Sequence, residues 1–344
     1  MYFSMYSNCV PVKGAQRSII YDLQRAKFDF IPNDLFNLIE RFNGQRIELA
    51  YDYYGAETYD VLDEYFEFLV ESDYILLFPE KMMLEQFPKL QLQWDFPSII
   101  SNAIIDFDKT EIDTGIYYSV LQQLEDLGCY YLQIRFWRYF DVFTFYEKIL
   151  DFISEMNFQS VQVILPYDSS IDCEKYISIY ERNSKVSEVI ITHCSSAFFK
   201  DIDSCKEQLL PKIVNVQCIS DEINDHTFCG VVEPGYFSIN ESFFSESIEH
   251  NTCLNRKIGI DVNGNIKNCP SMDKIFGNIC DSKIKDILNI PEYLMYWKIT
   301  KDQTDICKVC EFRRMCPDCR VYADGQFGKP LKCNYDPFTC EWKN

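Results

Sequence analysis

The sequence predicts a mixed α/β chain in three parts. A small α+β module spans residues 1–90, a partial β/α barrel 91–245, and a cysteine-rich domain 246–344. Three observations predict this. Strand-like and helix-like stretches alternate from about residue 97 to 220, the order of βαβ units on a parallel sheet. Nine of the 16 cysteines lie between Cys253 and Cys340. The first ninety residues run as strands, then helices, then a strand.

Bulk properties set the class. A chain of 344 residues is too long for one small core. Hydrophobic content of 47% with 16% aromatics excludes a disordered chain. Apolar runs are short and broken by charge, so no transmembrane helix is expected. The N-terminus has no basic region and no A-x-A-like cleavage site, so the protein is expected in the cytoplasm. There, clustered cysteines more often bind metal than form a disulfide framework. A net charge of -20 argues against a nucleic-acid partner, which needs a basic face. It suits a partner with positive charge, such as a basic peptide segment.

In the first module, Tyr2–Tyr6, Ser18–Leu23 and Phe28–Pro32 read as strands. Asn33 is placed to cap a helix with Leu35, Leu38 and Ile39 on its apolar face, ended by Gly44. A second helix runs from Tyr59 to Ser72, with Val61, Leu62, Tyr65, Phe66 and Leu69 as its stripe. Tyr74–Pro79 closes as a strand. This order resembles a winged helix, in particular the PqqD-like domain that recognises leader peptides of ribosomally made natural products. The resemblance implies that an extended peptide adds to the strand edge. A plain packing domain has the same pattern.

In the middle part, strand candidates centre on Ile104, Leu132, Val163, Val189 and Val214. Helices are expected over Tyr117–Leu127 and Phe143–Met156. A partial or full β/α barrel follows. An irregular connector over 221–252 holds His226, Cys229 and His250. His193 and Cys194 are adjacent, and neighbours on a strand point to opposite faces, which disfavours a nucleophile–base pair there. Cys129, Cys173, Cys194, Cys205 and Cys218 sit on or beside apolar stretches and read as buried small hydrophobes.

The cysteine region carries the chemistry. Cys253, ten residues, Gly264, four residues and Cys269 form its first half. Cys307-Lys-Val-Cys310-Glu-Phe-Arg-Arg-Met-Cys316-Pro-Asp-Cys319 forms the second, with Cys333 and Cys340 beyond. Thiolates at these spacings converge, and converging thiolates need a soft metal. Strands around Ile258 and Ile266 joined at Asn263-Gly264 make a hairpin, which brings Cys253 and Cys269 to the same end. By spacing, two zinc sites of four thiolates each also fit.

This spacing resembles the SPASM domain, the C-terminal extension of radical-SAM peptide-modifying enzymes, over roughly residues 250–340. More narrowly, Asn255-Arg-Lys-Ile-Gly-Ile-Asp, Asn268-Cys-Pro-Ser-Met, Phe276-Gly-Asn-Ile, Cys310-Glu-Phe-Arg and Asp318-Cys-Arg look like the SPASM maturase of grasp-with-spasm peptide systems. The resemblance implies two auxiliary [4Fe-4S] clusters, a precursor (leader) peptide and an ATP-grasp ligase as partners. Carried over, Cys253, Cys269 and Cys319 hold the first cluster. Its fourth ligand is open among Cys229, Cys280, His250, Cys340 or an open iron. Cys307, Cys310, Cys316 and Cys333 hold the second, with Cys340 the other candidate for its last place. The family places three residues before the last cysteine of the run, and here only Pro317 and Asp318 intervene, which bears on Cys319.

The radical-SAM motif itself is missing. No C-x3-C-x2-C occurs in the chain, and the stretch after the first barrel strand, Asp106–Gly115, has no cysteine. The second strand, Tyr131-Leu-Gln-Ile-Arg-Phe-Trp-Arg138, ends without Gly-Gly-Glu, and no glycine lies between Gly128 and Gly230. Glycine permits close backbone approach to a ligand, so S-adenosylmethionine binding is disfavoured. The barrel reads as a degenerate radical-SAM barrel, and whether the chain is an enzyme stays open. The first reading is a peptide-maturation factor working beside a ligase. The second is a redox or radical enzyme using an auxiliary cluster, and the third a zinc-stabilised adaptor without catalysis.

Overall fold

The structure, a computed structural model, describes residues 1–108, 113–138, 142–208 and 215–343, without the side chains of 142–147 and 207–208. Its contacts group the chain into two compact units, each built from separate segments. One comprises Met1–Asp95, Val231–Cys253 and Ile299–Asn344; the other comprises Phe96–Gly230 and Leu254–Lys298. Three consecutive parts were expected. The cysteine-rich region instead divides between both units, because its first hairpin joins the parallel sheet by backbone hydrogen bonds.

In the first unit, β1 (Tyr2–Met5) pairs antiparallel with β5 (Ile75–Phe78). Between them in sequence, β2 (Cys9–Val12), β3 (Arg17–Asp22) and β4 (Lys27–Pro32) form an antiparallel sheet. Helices α1 (Asn33–Phe42), α2 (Ile47–Tyr54) and α3 (Tyr59–Glu71) follow. β2 and α2 are additions to the sequence reading. Asn33 is the first residue of α1 and makes no side-chain cap. Its carboxamide oxygen accepts from Ser18 Oγ at 2.6 Å, and its Nδ2 donates to the Ala15 carbonyl at 3.2 Å. It fastens the helix start to β3 rather than capping it. Val61, expected on the apolar stripe of α3, is exposed, and Leu62, Phe66 and Leu69 form the buried line.

β3 explains why its sequence does not alternate. Ile20 packs with Phe3, Leu35, Leu38 and Phe66 on one side. Ile19 and Tyr21 pack with Phe312, Met315, Cys316 and Tyr335 on the other. A strand buried on both faces is apolar throughout.

In the second unit, β6 (Asn102–Phe107), β7 (Tyr131–Phe136), β8 (Ser160–Pro166), β9 (Val186–Thr192) and β10 (Val216–Cys218) run parallel in sequential order. Helices α4 (Thr114–Asp126), α5 (Val142–Ser154), α6 (Cys173–Arg182) and α7 (Ser196–Gln208) connect them. The strand centre expected at Val214 lies outside the described residues, and β10 begins two positions on. On the far side of β6, β11 (Lys257–Ile260) adds in parallel, followed antiparallel by β12 (Asn265–Lys267) and β13 (Gly277–Asn278). Among the described residues the sheet has eight strands with β10 and β13 at its edges, so it is open there.

Side-chain parity sorts the two faces. Ala103, Ile105, Leu132, Ile134, Val161, Val163, Val189 and Ile191 point to the helices and make the main core. The other face carries Asp106, Gln133, Arg135, Gln162 and Glu188. Among the described residues no helix is long and apolar enough to cross a membrane.

Candidate metal centre

Within the first unit, Cys307, Cys310, Cys316 and Cys333 line one small cavity of about 20 Å³. Short turns place them. Ile306, at φ 63°, turns the chain into the 3-10 turn Cys307–Val309. The Cys310 amide donates to the Cys307 carbonyl at 3.0 Å, and the Cys316 amide to Phe312 at 3.1 Å. Cys333 is brought in by an isolated parallel bridge to Val232. Cys340, at φ 58° in the terminal hairpin Tyr335–Trp342, does not line the cavity.

The wall is apolar and basic. Burial pushes the Cys316 thiol up to about 12, with the Lys301 ammonium opposing it. Burial also raises Cys307 and Cys310. Lys301, itself 4% exposed, donates its Nζ to the Cys316 carbonyl at 2.5 Å. Arg313 also lines the cavity and donates Nη1 to the Cys310 carbonyl at 2.9 Å. Thiols this buried stay protonated unless a cation takes the place of their protons. The donor set therefore fits a soft, multiply charged metal group.

The site is braced by the N-terminal sheet. Glu311, fully buried, accepts from Arg17 Nε at 2.9 Å and from the Tyr335 hydroxyl. Tyr21 donates its hydroxyl to the Glu311 carbonyl at 2.7 Å. Arg17 and Tyr21 were not legible as partners in the sequence, because they lie 294 and 290 residues from Glu311.

Of the cysteines assigned to a first cluster, Cys253 and Cys319 belong to the first unit. Asn251 connects them. Its Oδ1 accepts from the Cys253 amide at 3.0 Å, and its Nδ2 donates to Asp318, the residue before Cys319, at 2.9 Å. Asp318 is paired with Arg320 at 2.5 Å, both 1% exposed. His250, one residue earlier, stacks edge-on to Trp94 with ring centres 5.2 Å apart.

Cys269 belongs to the second unit, at the end of β12, and is buried. The expected hairpin is present, with Gly264 at φ 77° and its amide donating to the Asp261 carbonyl at 2.8 Å. Gly259 is required here. A Cβ would stand 2.4 Å from Pro270 Cδ and 2.6 Å from the Cys269 carbonyl carbon. Asp261 holds the turn. Burial alone raises its pKa, but the Lys267 ammonium at 2.8 Å and the Asn265 and Asn263 amides outweigh burial and leave it below the usual range. Cys280 is exposed beside the Asn263-Gly264 turn, at the opposite end of this hairpin from Cys269. Cys229 is half-buried, its amide donating to the His226 carbonyl at 3.3 Å.

At the C-terminal ends of the first two parallel strands the sheet face is filled. Asp106 and Arg135 are cross-strand partners and form a bidentate pair, 2.6 and 2.9 Å, with both side chains at most 1% exposed. Burial raises the Asp106 carboxyl while Arg135 opposes it. The guanidinium lies under the Trp137 ring at 4.9 Å and the Phe228 ring at 5.8 Å. The pair is not evident from either strand alone; its signal in the sequence is that Asp106 and Arg135 are each the fifth residue of their strands, β6 and β7.

Two expected apolar cysteines are not that. Cys173 and Cys205 are joined by a disulfide between α6 and α7. Cys129 and Cys194 are buried as expected, and Cys218 is half-buried. His193 sits at φ 60° just after β9, its ring against Thr192 Oγ1 at 2.8 Å and Asn224 Oδ1 at 3.1 Å.

Residues 252–311 match the family model of SPASM, the iron–sulfur cluster-binding domain. This stretch, similar to an iron–sulfur domain, includes the β11–β12 hairpin of the α/β sheet. The match includes Cys253, Cys269, Cys280, Cys307 and Cys310 and ends before Cys316. No curated protein matches the chain. Among solved structures, Streptococcus suis SuiB bound to S-adenosylmethionine aligns at 10% identity over 98% of this chain and 100% of its own, with a TM-score of 0.37. SuiB bound to precursor peptide SuiA aligns at 10% identity over 95% and 98%, with a TM-score of 0.36. Scores of this size do not define a shared fold.

Proposed function

We propose that the protein is a maturation factor for a ribosomally synthesised peptide, holding [4Fe-4S] clusters and acting beside an ATP-grasp ligase. The observation that carries the cluster assignment is the cavity lined by Cys307, Cys310, Cys316 and Cys333. These four would hold one cluster, and Cys253, Cys269 and Cys319 would supply another. Such a cluster supplies one-electron transfer or, with an open iron, Lewis acidity. The chain's own residues bury and neutralise it: Lys301 and Arg313 offset thiolate charge, and the Glu311 network fixes the turn that presents Cys310.

Iron is favoured over zinc by the match of residues 252–311 to the iron–sulfur cluster-binding SPASM model. The filled face at Asp106 and Arg135 supports a role without S-adenosylmethionine. An acidic chain whose N-terminal module has strand edges at β2 and β4 suits a basic precursor peptide.

The test is anaerobic purification with quantification of iron, sulfide and zinc. Cys316→Ala and Cys333→Ala should each lower iron and sulfide by about half if two clusters of equal size are present. Stoichiometric zinc without iron would end the cluster reading. Co-expression with the precursor, with and without the ligase, followed by mass spectrometry, separates a presenting factor from an enzyme: a modification formed without the ligase requires the enzyme.

A further inference from the structure

The Cys173–Cys205 disulfide lies in the second unit, between α6 and α7. It borders the open cleft lined by Tyr167, Ser170, Asp172, Phe198, Asp201 and Ser204. Its two sulfurs are in unlike settings. Cys173 is the first residue of α6 and half-buried, its Sγ 3.5 Å from the Glu174 carboxylate, with Asp172 capping the helix by accepting from the Lys175 amide at 3.0 Å. Cys205 is 9% exposed, one turn before the end of α7. A helix N-terminus stabilises a thiolate, and an accessible sulfur is the one an external thiolate attacks. A buried partner sulfur then acts as the resolving thiol. Disulfides in a reducing compartment are mostly transient, catalytic or redox-sensing.

We propose that Cys173 and Cys205 form a thiol–disulfide exchange site that reacts with small thiols and disulfides such as glutathione. In the reducing direction, an external thiolate attacks Cys173 Sγ, forming a mixed disulfide and releasing the Cys205 thiolate, which takes a proton. A second external thiolate attacks the external sulfur of that mixed disulfide and releases Cys173 as thiolate. Two external thiols leave as one disulfide, and the protein gains two thiols. The oxidising direction is the reverse, with Cys205 attacking the mixed disulfide at Cys173. Opening the bridge unlinks α6 from α7, which flank β9, so the state of this site sets how firmly that edge of the sheet is held.

The experiment uses the anaerobically purified full chain with its metal. It is equilibrated over a series of reduced-to-oxidised glutathione ratios, acid-quenched, alkylated and mapped by mass spectrometry. Cys173 and Cys205 should lose alkylation together as the ratio turns oxidising and recover it on return, while Cys129 stays constant. With oxidised glutathione, Cys205→Ser should trap the adduct on Cys173 at least tenfold more than Cys173→Ser traps it on Cys205. Full alkylation of both at every ratio overturns the proposal. So does equal trapping on the two variants. Loss of one bound zinc in both variants would show a metal pair with Glu174 instead, and overturns it too. Each variant's circular dichroism spectrum, matched to the parent, excludes misfolding as the cause.

Discussion

Asp106 and Arg135 are worth more as a pair than either is alone. Removing one partner leaves a buried charge, which costs about 3–5 kcal/mol. Arg135→Met should therefore lower the urea-unfolding free energy by about that much. Adding Asp106→Leu should recover most of the loss, and a double-mutant cycle reads the coupling. Asp261 makes a different prediction. Its folded pKa is lowered, so its contribution is present above the unfolded value of about 3.9 and is lost as pH falls through the folded one. Asp261→Asn should be about 1.5–3 kcal/mol less stable than the parent near neutral pH. That gap should hold down to about pH 5 and close below about pH 4, measured as urea midpoints across pH. A gap that widens on acidification contradicts the assignment.

At the scale of elements, the hairpin β11–β12 depends on one missing side chain. Gly259→Ala drives a methyl into backbone atoms of Cys269 and Pro270 that cannot step aside. The expected cost is about 1–3 kcal/mol, with loss of iron and of visible absorbance. The hairpin was legible because Asn263-Gly264 is a local signal. The four long parallel strands were legible for the same reason, as Ile104, Leu132, Val163 and Val189 head apolar runs bounded by helices. What stayed hidden is non-local. β2 gives no strand signal of its own, because it is four residues long and Pro11 interrupts it. The Asn33 side chain turned to β3 because Ser18 is there to receive it. The grouping of Cys333 rather than Cys340 with the cavity depends on the bridge to Val232, about a hundred residues upstream.

For the whole molecule, the two units draw on interleaved segments, so any cut between residues 96 and 298 divides both. The Cys173–Cys205 bridge closes a loop of sequence separation 32. Loop-closure entropy assigns such a link about 3–4 kcal/mol. Reduction should lower the melting temperature of the second unit by roughly 6–15 °C, seen by calorimetry with and without reductant. Cys173→Ser should melt at the reduced temperature under both conditions.

The pairing of β11 with β6 also bears on synthesis. Lys257 lies opposite Asn102, so one side of β6 waits for a strand made about 155 residues later. At ordinary translation speeds that is roughly 10–30 s. During that time a strand reading Asn-Ala-Ile-Ile-Asp-Phe presents an unpaired apolar edge on the ribosome. A nascent chain arrested near residue 250 should recruit chaperones or aggregate, whereas one arrested well past residue 270, outside the exit tunnel, should not. In this chain the hairpin that leads to Cys269 is also the protecting strand, and folding of the sheet cannot finish before the cysteine region has been made.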